Sequence, residues 1–214
     1  IGDVTLTGGD YAELNSYIYQ WGEVHTGDMA FGDLTVGDVT FRGQVSSDLY
    51  FSVEKTGDVY GDGSLDLGSV TVGDVSMIGV GSSYAGFGLY VTGYNYSSSE
   101  YYGTVDNVTV GDVYLKGDNN SEVSFWNTIS AASIGDVTYG DISMIVGEDS
   151  SVRYGYVSID AATGDLGDVE FGTIAIHLGT NSYLNQEFGL SISADDNIGD
   201  VTIGGIDFAA AEGT

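Results

Sequence analysis

The sequence predicts an all-β chain folded as a right-handed parallel β-solenoid (β-helix) of about seven coils with Gly-Asp corners. Three observations carry that prediction. The tripeptide Gly-Asp-Val, or a close variant, recurs along the whole chain. Its copies come in pairs five residues apart, as in Val70-Thr71-Val72-Gly73-Asp74-Val75-Ser76-Met77. The residues around them alternate apolar and polar, and they are rich in Val, Ile, Thr and aromatics, which is strand chemistry.

Aligning the repeats on the apolar residue gives Val4, Leu34, Val70, Val108, Val137, Val169 and Val201, at spacings of roughly 30 to 38 residues. A second copy follows the last six as Val39, Val75, Val113, Ile142, Ile174 and Ile206. On this alignment the first coil lacks the second copy and has Gly9 in its place. Each triplet buries one face. Gly tolerates unusual backbone angles and Asp can bond nearby N–H groups, so the Gly-Asp between triplets reads as a bend.

A turn comes next, as in Gly117-Asp118-Asn119-Asn120 or Gly179-Thr180-Asn181. A longer alternating strand follows, such as Leu49-Tyr50-Phe51-Ser52-Val53 or Tyr154-Gly155-Tyr156-Val157-Ser158-Ile159. Small residues, Ala131-Ala132-Ser133 among them, lead back to the next repeat. Each repeat therefore holds three strand runs and three bends. One coil cannot bury its apolar face alone, so stacking closes the core. The array reads as a single domain over 1–214, with its longest side insertion at 79–104. Right-handedness follows from the crossover rule for parallel strands. The rival architecture is antiparallel, a sandwich or a membrane barrel, and it accounts poorly for a motif fixed at five residues.

Composition narrows function. Thirty-two acidic residues stand against four basic ones, for a net charge of −28. That field repels phosphate backbones and anionic lipid surfaces, so neither nucleic-acid binding nor membrane insertion is expected. There is no Cys, which excludes a thiolate nucleophile and a structural zinc cluster of the cysteine type. His25 and His177 are far apart, no nucleophile-elbow motif is present, and the chain is not expected to be an enzyme.

The corner aspartates form columns when the coils are stacked. Asp33, Asp136 and Asp168 fall in one with Asp3, and Asp38, Asp74, Asp112 and Asp141 fall in another. Like charges about 5 Å apart repel unless hydrogen-bonded or bridged. The plainer reading is that each carboxylate caps its own corner. The sharper one is a cation ladder holding Ca²⁺, although no cofactor is required. A Thr column on the first strand invites an ice-binding reading, which Glu170 and a mixed second rank oppose.

The repeat style resembles that of large repetitive surface proteins and secreted solenoid adhesins of bacteria. The five-residue unit is also similar to pentapeptide-repeat β-helices, which lack long interruptions. The resemblance implies an extracellular or cell-surface location and an adhesive or structural role. It carries over no site residues.

The chain opens and closes in repeat strands, Ile1-Gly2-Asp3-Val4 and Ile203-Gly204-Gly205-Ile206-Asp207-Phe208. The leading expectation is therefore a homopolymer joined end to end through Ile1, Val4, Ile203, Ile206 and Phe208, forming an extracellular filament. The alternative is an adhesin stalk or glycan-binding module of a secreted surface protein, ahead of an ice-binding protein or a glycan-active β-helix enzyme. Tyr94, Tyr96, Tyr101 and Tyr102 are the candidate contact surface for a subunit or glycan, because Tyr buries area at low entropic cost.

Overall fold

The computed structural model describes residues 1–186 and 188–213. It is a parallel β-solenoid of about six turns, rather than the expected seven. At the usual interstrand spacing that makes a rod about 30 Å long.

Four strand positions repeat per turn. The first rank holds Leu34–Val36, Val70–Val72, Val108–Val110 and Val137–Tyr139. The second rank holds Val4–Thr7, Val39–Val45, Val75–Val80, Val113–Gly117 and Ile142–Val146. Val169–Leu178 and Val201–Ala210 run through both ranks and join them into one sheet. They pass the corner unbroken where the sequence reads Gly172-Thr173 and Gly204-Gly205, with no Asp.

A broad face follows, made of Glu13–Val24, Asp48–Val59, Tyr84–Asn95, Glu122–Ala131, Ser151–Ala161 and Phe188–Ala194. A short sheet closes the turn with Met29–Ala30, Leu65–Asp66, Thr104–Val105 and Ser133–Ile134. The small-residue lead-in therefore contains a fourth strand, where three had been expected.

Pairing corrects one alignment. Val4 is the partner of Val39, not of Leu34, so the first coil lacks the first rank and keeps the second. That coil has no second Gly-Asp five residues after the first, which leaves the rank of Val4 open in the sequence. Asp3 accordingly joins the column of Asp38, Asp74, Asp112 and Asp141.

Like residues stack inside. The rings of Phe51, Phe87 and Phe125 follow one another at centroid spacings of 5.9 Å, and Tyr139 lies parallel on Phe171 at 4.9 Å. Burying each such ring contributes about 2 kcal/mol. Two polar groups share this core. Asn127 Nδ2 donates to the Tyr139 hydroxyl at 3.0 Å, and Lys55 Nζ donates to the carbonyls of Gly32 and Ser69 at 2.9 and 3.1 Å.

Of the segment 79–104, Tyr84–Asn95 is a regular strand of the broad face. The excursion is the hairpin that follows, in which Tyr101 pairs antiparallel with Tyr94.

Candidate functional site

The corner aspartates are bonded between coils. Asp33 Oδ1 accepts the N–H of Ser69 (3.0 Å), Asp38 that of Asp74 (3.1 Å), and Asp74 that of Asp112 (2.9 Å). Asp112 accepts from Asp141 (2.8 Å) and Asp141 from Thr173 (2.6 Å). Asp136 accepts from Asp168 (2.9 Å) and Asp168 from Asp200 (2.8 Å). Each carboxylate thus caps the corner of the next coil, not its own. All seven proposed cation ligands have one oxygen occupied this way. Among the described residues no three carboxylates or imidazoles gather closely enough to hold a metal ion.

A second ladder, which sequence reasoning missed, runs up the turn before the broad face. The N–H of Ser47 donates to Ser83 Oγ, Ser83 to Ser121, Ser121 to Ser150 and Ser150 to Ser182, at 3.0 to 3.2 Å. These serines are buried. The residue before each has positive φ, at Ser46, Ser82, Asn120, Asp149 and Asn181. Asn, Asp and Ser tolerate that conformation through local hydrogen bonds.

The broad face carries the chemistry. Its outward positions on successive strands are Tyr17, Tyr50, Tyr84, Tyr90, Trp126, Tyr154 and Tyr156. Glycines make room for these rings. A Cβ on Gly88 would sit 2.9 Å from Trp126 Nε1, and one on Gly86 would sit 2.5 Å from the Tyr84 hydroxyl. Trp126 therefore covers Gly88 and stacks on Tyr50 from two coils away, at 5.5 Å and 22°. Tyr50 in turn meets Tyr17 at 5.2 Å. The result is an aromatic band reaching from the first coil to the fifth, about 20 Å along the axis.

Within the band, Tyr84, Tyr90, Trp126, Tyr154 and Tyr156 with Gln186 line an open cleft of about 420 Å³. Among the described residues no Asp, Glu or His lines it. Burial pushes the Tyr84 phenol up to about 12, and it raises Tyr50 and Tyr90 as well, so all three are neutral donors at ordinary pH.

The four tyrosines singled out in the sequence divide. Tyr96 lies exposed and stacked on Tyr60 at 4.8 Å, while Tyr94 and Tyr101 meet edge to face at 6.0 Å. Tyr102 turns toward the core and its hydroxyl donates to the carbonyl of Gly63. The terminal residues lie at the two end coils. Ile1 is exposed and its amine donates to Thr35 O, and Val4 is half-buried over Val39. Ile203, Ile206 and Phe208 continue the columns of Phe171, Ile174 and Ile176 with one side uncovered. Tyr50, Tyr154 and Tyr156 stand in the predicted strands, and their outward parity was readable there. Their adjacency to Trp126 was not. No known protein family, curated protein or solved structure matches this chain.

Proposed function

We propose that this chain is a non-catalytic, extracellular solenoid module of adhesin type, whose broad face binds a neutral polysaccharide. The carrying observation is the seating of Trp126 and Tyr84 over Gly88 and Gly86, where a side chain would collide with them. Aromatic rings seated on a sheet surface offer apolar faces to pyranose rings, and half-buried, neutral tyrosyl hydroxyls offer hydrogen bonds to sugar hydroxyls. A band about 20 Å long accommodates several sugars in a row. The charge of −28 favours neutral over acidic glycans. Among the described residues the cleft is lined without carboxylate or imidazole, which supports binding rather than hydrolysis.

Affinity electrophoresis through gels containing neutral glucan, xylan or mannan tests this reading. Retardation in at least one gel is expected, falling tenfold or more in Trp126→Ala and unchanged in Thr109→Ala on the corner sheet. Migration unaffected by every polysaccharide overturns it.

End-to-end assembly is the second reading. It is favoured by the exposure of Ile206 (76%) and Phe208 (56%), which occupy core columns. Light scattering that shows only monomers at high concentration contradicts this second reading.

A further inference from the structure

A second cleft lies on the broad face, toward the first coils, with a different chemistry. It has a volume of about 580 Å³, and its walls include Trp21, Tyr94, Tyr96, Tyr101, Glu54 and Asp58. Glu54 and Asp58 point outward from one strand, two outward positions apart. Trp21 stands on the neighbouring strand opposite Thr56, and Tyr94 opposite Asp58. The hairpin returns Tyr101 over Tyr94. Tyr94 meets both Tyr96 (4.9 Å) and Tyr101 (6.0 Å) at 78°, so the three rings form perpendicular walls. Trp21 Nε1 donates to Asp58 Oδ2 at 3.1 Å, which fixes the indole at the rim.

Among the described residues neither carboxylate has a cationic partner. The four ion pairs among the described residues are His25 with Glu23, Lys116 with Asp118, Arg153 with Glu122 and His177 with Asp207. Among the described residues no Lys, Arg or His lines the cleft. A box of electron-rich ring faces with two unneutralised carboxylates is complementary to an organic cation. The rings attract it through their quadrupoles and the carboxylates through charge. A neutral sugar can donate hydroxyls to the carboxylates but leaves their charge uncompensated, and a small hydrated metal ion gains little from the rings.

We propose that this cleft binds an alkylammonium group of the trimethylammonium type. Its source is either a small molecule such as choline or a methylated lysine side chain on a peptide. The site is independent of the polysaccharide reading, since Trp126 and Tyr84 take no part in it.

The test uses Trp126→Phe, which leaves Trp21 as the sole tryptophan. Trp21 emission is titrated with choline, with its uncharged isostere 3,3-dimethylbutanol, and with NaCl at matched ionic strength. A saturable response to choline is expected, at least tenfold weaker for the isostere and absent for NaCl. Glu54→Gln with Asp58→Asn is expected to weaken choline binding tenfold or more with an unchanged melting curve. Tyr101→Ala supplies a second, aromatic variant with the same expected loss. A trimethyllysine peptide distinguishes the sources: tighter binding than choline assigns the site to a protein partner, and equal binding assigns it to the small cation. Equal responses to choline and its isostere, a response reproduced by NaCl, or undiminished binding in the double carboxylate variant overturns the proposal.

Discussion

The β-carbon that Gly111 lacks would lie well inside 3.0 Å of Asp74 Oδ1, in the coil before it. The same clash recurs between Gly73 and Asp38, Gly140 and Asp112, and Gly167 and Asp136. The Gly-Asp pair is therefore an inter-coil device. Each Asp reaches forward to cap the next corner, and each Gly leaves the space that the previous Asp fills.

A double-mutant cycle follows from this relationship. Gly111→Ala is expected to cost about 1–3 kcal/mol through overpacking, and Asp74→Ala about 1 kcal/mol through the lost bond to the Asp112 N–H. The double variant recovers part of the first cost, because the carboxylate is gone. It does not recover all of it, because Asp74 N also lies 2.9 Å from the added carbon. Denaturant melts of the four proteins measure the coupling. Strict additivity contradicts the interlock.

The serine ladder makes a separate prediction. Ser121→Ala removes the acceptor for the buried Ser83 N–H and is expected to cost about 1–3 kcal/mol. Ser121→Gly is no remedy, since it restores no acceptor. Thermal melts should show both variants lowered, with the broad face still folded by far-ultraviolet circular dichroism.

Tyrosine ionisation gives a pH dependence with a defined sign. Burial raises Tyr84 from 10 to about 12, and it raises Tyr50, Tyr90 and Tyr139 too. A phenol with a raised folded value stabilises the fold fully below pH 10. That contribution fades as pH rises from 10 towards 12, where the unfolded chain ionises first. Absorbance at 295 nm should show a late-titrating group of tyrosines, and Tyr84→Phe should remove one proton from it. A single transition near 10 for all tyrosines contradicts the buried seating.

Lys55 acts in the opposite direction. Burial lowers its ammonium below 10.5, against the pull of Asp33, Asp66 and Asp106. Below its folded value the buried charge opposes folding in full. The penalty shrinks as pH rises to 10.5, where the unfolded Lys also loses its proton. Wild type should therefore gain stability relative to Lys55→Met between pH 7 and pH 10, whichever protein is the more stable at pH 7. The tyrosines contribute equally to both and cancel. A pH-independent difference contradicts a charged Lys55 in the core.

Much of the fold was legible because the Gly-Asp pair marks every coil. Its position and its partner five residues on fix the two ranks from Leu34 to Ile206. What the sequence hid has physical causes. The rank of Val4 is decided by its pairing with Val39, and one lone motif cannot show that. The serine ladder consists of single small residues in turns of variable length. The aromatic face depends on register across coils of unequal length, and on Gly88, whose missing side chain brings Tyr50 and Trp126 together across an intervening strand. The aspartates stack in columns, with Asp3 in the column of Asp38 instead of that of Asp33, and the hydrogen bond that occupies each one crosses to the next coil.

The most direct test of the polysaccharide face uses Trp21→Phe, which leaves Trp126 as the sole tryptophan. Its emission is followed during titration with neutral oligosaccharides of increasing length. The account predicts a saturable blue shift, with affinity rising as the oligosaccharide lengthens along the band and lost in Tyr84→Ala. A stable, folded protein whose Trp126 emission does not respond to any neutral glycan contradicts it.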